Sequence, residues 1–231
     1  MNFSFFADNT IDRPQLLRGY GKTLPAFKKW TDKFLQENLE SMSGFVEVAQ
    51  NSIFNPSSPY SSSDLDEDMT PAEFIKKYIH NSRRKEKLFL AEFPISENLL
   101  DDIEMLEFFN LTAEHRQHLE LVPLLYLGKG GNFTPLHHDD YENLYIVLDG
   151  EKEVDIISNA YDELLADYIE EDNHLSLGEV SSQALIDNPI LNNIVVEKFH
   201  LASGDALYIP KRFWHSMRGS KDRNLAVSIW F

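Results

Sequence analysis

The chain has 231 residues, no cysteine and a formal net charge of −17. The missing cysteines exclude disulfides, a thiolate metal site and a cysteine nucleophile, and they suit a reducing cytoplasm. The acidic balance makes nucleic acid and anionic membranes poor partners and favours a basic one, besides keeping the chain soluble. With 42% hydrophobic and 12% aromatic residues the chain is globular, and its length fits one domain, 1–231. No apolar run approaches the ~18 residues that span a bilayer, and MNFSFFADNTIDRP lacks the basic and apolar regions of a signal peptide.

In chain order, Gln15 to Arg18 reads as a short strand ended by Gly19 and Gly21. Pro25 suits the first turn of a helix, in which Phe27, Trp30, Phe34 and Leu35 recur at helical spacing and Thr31 or Asp32 offers a second N-cap. Phe45 to Val48 alternates as a strand does. Residues 51–68, rich in Ser, Pro and Asp, read as a loop. Thr70-Pro71-Ala72-Glu73 is a capping box that opens a helix through Phe74, Ile75, Tyr78 and Ile79. A basic turn, 81–85, follows. Leu88 to Ala91 reads as a strand, and 96–109 as a helix.

From here the pattern shifts to short strands separated by Gly/Asp turns. Leu121 to Leu127, Leu144 to Leu148, Val154 to Ile157, 199–210 (two strands about Ser203-Gly204-Asp205) and Leu225 to Phe231 are the candidates. Helices about 13–110 followed by many strands about 121–231 predict a mainly β fold with flanking helices, an antiparallel barrel or double-sheet roll. The 158–196 connection carries Asp162, Glu163, Asp167, Glu170, Glu171 and Asp172 and is too long for a plain turn. It is expected to wall or cover a substrate site and to attract a basic segment.

The chemistry gathers in GNFTPLHHDDYENLYIVLDGEKE, 131–153, and in YIPKRFWHSM, 208–217. Two histidines and a carboxylate on one scaffold, with coordination positions left open, are the facial set of a non-haem Fe(II) oxygenase. His-His-Asp-Asp offers two registers, His137 with Asp139 or His138 with Asp140. Residues two apart in a strand share a face, so local pattern leaves both open. The remaining histidines, His80, His118, His174 and His200, read as surface or packed groups. Arg212 and Arg218 read as surface charges, and Trp214 as packing beside His215.

Taken together, Thr134, Pro135, His137, Asp139, Asn143, Gly150, Lys152, Ile209, Pro210, Trp214 and His215 resemble the motif set of the Jumonji-C (JmjC) oxygenases. More narrowly, they resemble the cupin-like branch that includes the asparaginyl hydroxylase of hypoxia-inducible factor. The likeness covers about 13–231, and its lysine position selects the first register, because the second would put Glu153 there. The resemblance implies a double-stranded β-helix (jelly-roll) fold that binds Fe(II) and 2-oxoglutarate and uses O2. It implies His137, Asp139 and His215 as iron ligands, and Lys152 and Thr134 on the distal carboxylate of 2-oxoglutarate. Asn143 and Ser228 would line the co-substrate site. Where some relatives carry a tyrosine this chain has Phe89, and Tyr145 is the candidate replacement. The C-terminal dimerisation helices of some relatives have no counterpart in the sequence. The implied activity is hydroxylation of a protein or peptide side chain; a free amino acid or other small molecule is the alternative substrate, and a non-catalytic binding protein the alternative class.

Overall fold

The computed structural model describes residues 12–39, 44–49, 66–81, 87–103, 122–169, 175, 177 and 187–231. Its centre is strand β7 (Asn143–Asp149), whose side chains are buried on both faces up to Leu148. That is why NLYIVL reads as a continuous apolar run without alternation. Leu144, Ile146 and Leu148 enter one core, while Tyr145 and Val147 enter another.

Strand β7 lies inside an eight-stranded sheet of order β1-β10-β7-β12-β5-β4-β2-β3. Its other members are β1 (Gln15–Leu17), β2 (Gly44–Ala49), β3 (Asp66–Met69), β4 (Lys87–Pro94), β5 (Val122–Gly128), β10 (Ala206–Ile209) and β12 (Asn224–Trp230). A four-stranded sheet faces it, in the order β6-β11-β8-β9. This one holds β6 (Phe133–His137), β8 (Lys152–Ile157), β9 (Val196–Leu201) and β11 (Trp214–Gly219). All pairings are antiparallel. Two facing antiparallel sheets closed at their turns form a jelly-roll, the double-stranded β-helix core.

Three clusters layer this core. Between the sheets lie Tyr145, Val147, Leu207, Ile209 and Ala226 from the large sheet, against Val154, Ile156, Leu201 and Met217 from the small one. The outer face of the large sheet is covered by α1 (Pro25–Lys29), α2 (Asp32–Asn38) and α3 (Pro71–Phe74), the last widening into a π turn at Ile75–Ile79. Trp30, Leu35, Leu39, Phe74, Ile75 and Tyr78 are the side chains these segments bury there. Thr31 caps α2 by accepting from the Phe34 N–H, and Thr70 with Glu73 closes the expected capping box; each cap is worth about 1 kcal/mol. Asp102, buried at the edge of this layer, accepts hydrogen bonds from Trp30 Nε1 and Lys29 Nζ, both 2.8 Å.

The third cluster covers the outer face of the small sheet. Leu136, Ile157 and Trp214 from the strands meet Leu165, Leu175, Leu191 and Ile194 from the 158–196 connection. Leu165 belongs to a short helix, α4 (Asp162–Leu165). Trp214 Nε1 donates to Asp162 Oδ1 at 2.7 Å, and the Leu175 N–H donates to the Leu136 carbonyl at 2.8 Å. The expectation of a lid is therefore corrected for the described part of this segment: it packs behind the small sheet, on the face turned away from the barrel interior. Leu136, Ile157 and Trp214, one from each of three neighbouring strands, need a cover, and the connection supplies it. Glu170, Glu171 and Asp172 lie outside the described residues, as do the basic turn from 82 on and the second half of the 96–109 helix. Its first half is a 3-10 turn, Glu97–Asp102.

Two other expectations change. Residues 66–68, read as loop, form a strand, because β3 is drawn into the sheet by pairing with β2; neighbours override the low strand propensity of DEDM. The segment before 110 is also less separate than its helices suggest, since β1 pairs with β10 and β4 with β5. Gly150 turns β7 into β8 with φ +79°, and a Cβ there would meet the Arg223 carbonyl at 2.5 Å. Only glycine fits both demands.

Candidate metal centre

The site lies at one end of the space between the sheets. His215, on β11, pairs with His137, on β6, in the ladder. Their ring centroids are 4.2 Å apart, and Asp139 Oδ2 is 3.7 Å from His215 Nε2. One donor atom from each of His137, Asp139 and His215 lies within 4.8 Å of the others. Such spacing spans a single ion.

Backbone carbonyls fix the two rings in matching fashion. His137 Nδ1 is 2.8 Å from the Pro135 carbonyl, and His215 Nδ1 is 2.9 Å from the Phe213 carbonyl. A carbonyl can only accept, so each Nδ1 carries the proton and each Nε2 keeps its lone pair. A carbonyl on the far nitrogen fixes the tautomer and the orientation of an imidazole ligand. The two loops that bring the groups together are themselves tied, by the Arg212 N–H donating to the Asp139 carbonyl at 2.9 Å. Arg212 holds a left-handed φ of 64° to do so, and its guanidinium meets Asp140 at 3.2 Å.

The choice of register follows from the two faces of the small sheet. His138 is buried beside Trp214, ring centroids 4.5 Å apart and edge-on, in the direction of the outer core. Burial, with the Arg212 charge behind it, lowers its pKa. Asp140 is exposed. The structure thus brings His137, Asp139 and His215 together and turns His138 and Asp140 away.

Thr134 lies three residues before His137, an odd spacing that a regular strand would place on the opposite face. The ladder corrects this. His137 pairs with His215 and Thr134 with Met217, so three steps on β6 match two on β11. This is a β-bulge, and Pro135, which has no N–H to offer a ladder, occupies it at no loss. Thr134 therefore shares the inner side with His137.

Lys152 opens β8 at the far end of the same interior. It pairs with Gly219, four residues along β11 from His215, which is about 13 Å of strand. It is buried and forms no hydrogen bond or ion pair among the described residues. Desolvation lowers its pKa to about 8. A buried ammonium without a counter-charge marks an anion site. Tyr145 faces the same interior, opposite Ser228 in the ladder, and desolvation raises its hydroxyl pKa. It has no hydrogen-bond partner among the described residues. Its ring stands 6.2 Å from that of Tyr126, an aromatic residue of this wall that sequence reasoning passed over. Ser228 Oγ donates to Asn143 Oδ1 at 2.7 Å, which orients that amide. Phe89 is buried, on the strand next to β5.

The other polar groups read as surface or packed are satisfied away from the centre. His80 meets Asp32 at 2.8 Å, His200 meets Glu151 at 3.4 Å, and Arg218 lies over the Phe133 ring at 4.4 Å. His118 and His174 lie outside the described residues.

A two-sheet roll with two imidazoles and a carboxylate converging at one end defines a cupin-type metal centre. The family model of the cupin-like domain matches residues 5–231, and the chain belongs to that family. Among curated proteins it is similar to the lysine-specific demethylase JMJ30 of Arabidopsis thaliana, 28% identical over 219 residues, with 90% of this chain and 47% of that protein covered. It is similar to lysine-specific demethylase 8 of Xenopus tropicalis, 26% identical over 224 residues, covering 95% and 48%. The JmjC domain-containing protein F of Dictyostelium discoideum is 29% identical over 169 residues, covering 62% and 35%. The chain spans about half the length of the first two relatives. These likenesses place it in the JmjC/cupin oxygenase superfamily, whose enzymes use Fe(II), 2-oxoglutarate and O2.

The residues present fit those groups. Imidazole and carboxylate donors with open positions suit Fe(II). A buried lysine without a counter-charge suits a dicarboxylate. No helix among the described residues is long and apolar enough to cross a membrane.

Proposed function

We propose that the chain is an Fe(II)- and 2-oxoglutarate-dependent oxygenase that hydroxylates a side chain of a protein or peptide. The observation that carries the reading is the combination of the His137, Asp139 and His215 donors with a buried Lys152 that has no ion-pair partner among the described residues, in one barrel. Iron alone would need only the trio. A lysine held in the interior without a partner is stabilised when a carboxylate arrives, and a 2-oxo acid supplies one.

In this reading His137, Asp139 and His215 hold the iron through two Nε2 atoms and a carboxylate oxygen. Lys152 and the Thr134 hydroxyl hold the distal carboxylate, and Tyr145 supplies the hydroxyl that Phe89 cannot. Ser228 fixes Asn143 so that its amide lines the co-substrate. The hydrophobic interior keeps water from the bound 2-oxo acid. Iron and 2-oxoglutarate bound there would supply the oxidising power for hydroxylation by O2, with succinate and CO2 as the co-products. The acidic chain, with its calculated pI of 4.8, favours a basic protein segment as the partner, and we place the reaction in the cytoplasm.

Within this class, asparaginyl hydroxylation follows from the narrower sequence resemblance. Oxidation of a methylated lysine follows from the names carried by JMJ30 and demethylase 8; there the hydroxylated methyl group leaves as formaldehyde. Purified protein with Fe(II), ascorbate, O2 and 2-oxoglutarate is expected to release succinate slowly without substrate and faster with it. Iron-loaded, folded protein that neither binds 2-oxoglutarate nor forms succinate would make the chain a binding module.

A further inference from the structure

One acidic side chain within electrostatic reach of the metal site belongs neither to the donor trio nor to any salt bridge among the described residues. Glu92 lies in β4, where Leu90 pairs with Leu127 and Phe93 with Leu125. Three steps on β4 therefore meet two on β5, and Leu90 and Phe93 both reach the core beneath the helices. The extra residue is absorbed at Glu92, whose φ is +49°. A glutamate adopts this left-handed backbone only when its surroundings impose it. The bulge swings the side chain out of the normal alternation, as bulges beside active sites do.

Its carboxyl comes within electrostatic reach of Asp139. Desolvation, and then the Asp139 charge, push it above the ordinary carboxylate range. The residue is exposed as a whole, so solvent and substrate can reach it. It has no hydrogen bond or ion pair among the described residues, and it stands outside the trio whose atoms lie within 4.8 Å. The two cations already placed around the metal site are committed elsewhere: Arg212 meets Asp140, and Lys152 pairs with Gly219, four residues along β11 from His215. A negative group held beside a metal ligand, with no positive neighbour of its own, calls for a cation from outside.

We propose that Glu92 is a specificity residue that receives the cationic end of the substrate side chain, a guanidinium or ammonium, and so selects a basic residue over a neutral one of equal length. This rests on the reading of His137, Asp139 and His215 as the metal centre. A charge-assisted hydrogen bond at a partly desolvated carboxylate gives both attraction and direction. The net charge of −17 adds longer-range steering of a basic segment.

The test uses Mn(II)-loaded protein and four probes: the N-acetyl amides of arginine and lysine, and their neutral counterparts made from citrulline and norleucine. Manganese broadens the NMR signals of any side chain held near it, so titration yields an affinity for the metal end without turnover. The better of the two cationic probes is expected to bind on the order of tenfold more tightly than its neutral counterpart. Glu92→Gln should reduce that advantage to about twofold or less, and added salt should weaken it in the wild type. If Glu92→Gln folds poorly, Glu92→Gly, which suits the left-handed backbone, takes its place. Arginine against lysine tells which cation the site fits. Equal binding of charged and neutral probes, absence of both cationic probes from the metal, or an advantage that survives the substitution overturns the proposal. So does a collapse of Mn(II) affinity in Glu92→Gln, which would make the residue a ligand. Binding of 2-oxoglutarate to the same Mn(II) protein is measured separately. Its failure beside an intact cation preference sinks the oxygenase reading alone, whereas 2-oxoglutarate binding without the preference sinks only the role of Glu92.

Discussion

The two sheets of the roll divide the work unequally. The small sheet is covered behind by Leu165, Leu175, Leu191 and Ile194, and its inner face bears His137, His215, Thr134 and Lys152. The large sheet is covered by helices and contributes Asn143, Tyr145 and Ser228, with Glu92 at its bulge. Charged and metal-binding chemistry sits on the four-stranded side, where one ladder, His137 with His215, places two imidazoles in contact. The eight-stranded side offers hydroxyl and amide groups, the Glu92 carboxylate and the larger share of the core. A ladder of hydrogen bonds fixes relative position more tightly than facing sheets do, so the two imidazoles that must share one ion lie on paired strands, and Asp139 follows two residues after one of them. The groups that only line a ligand can come from across the gap.

The sharpest break in this comparison is at the metal. Ala at His137, Asp139 or His215 is expected to abolish Fe(II) or Mn(II) binding. His138→Ala and Asp140→Ala should leave most of it, although His138→Ala costs stability through its lost packing on Trp214. Metal titration with a parallel melting curve reads both, and a reversed pattern would overturn the register.

Lys152 comes next. Lys152→Met should weaken 2-oxoglutarate about a hundredfold, since it removes one partner of a buried charge pair. Its pH behaviour gives a second readout. The folded pKa of about 8 lies below the ordinary 10.5, so between these values the unfolded chain binds the extra proton and stability rises with pH. Below pH 8 the cost of the buried charge is fully present. The free protein should therefore gain stability over Lys152→Met across pH 8 to 10.5, on the order of 3 kcal/mol, by urea unfolding. Its 2-oxoglutarate affinity should fall over the same range as the ammonium is lost. A flat difference between the two proteins would mean that Lys152 is charged and paired in the free state.

A smaller effect separates the back of the small sheet from its front. Leu165→Ala should cost about 2–5 kcal/mol of stability and leave metal affinity within about twofold, because the connection packs on the outer face. A large loss of metal affinity would return that segment to the site. Last, Ser228→Ala on the large sheet should cost about 1 kcal/mol and weaken 2-oxoglutarate by about threefold, through a less constrained Asn143. A calorimetric titration that found no change would remove the amide from the co-substrate wall.

Much of this was written locally. The caps at Thr31 and Thr70, the Gly150 turn, the strands β5, β7, β8, β9, β10 and β12 and the His-x-Asp spacing depend on residues close in sequence, whose period and turn chemistry act before any fold exists. Strands β6 and β11, which carry the two imidazoles, show no such period and take shape only by pairing within the small sheet. The motif set from Thr134 to His215 carried the donor residues and Lys152 as well. Tertiary structure decided what neighbours alone cannot. Which of His137 and His138 faces inward depends on which side of β6 the distant 158–196 segment covers. Thr134 joins His137 only because pairing with β11 forces a bulge. The acidic DEDM becomes a strand because β2 offers it a ladder. Glu92 carried no mark in the sequence: its position comes from the mismatch of β4 with β5 and the approach of Asp139, 47 positions further along the chain. Periodicity specifies which residues share a face, but only the packing of the second layer decides which face becomes the inside.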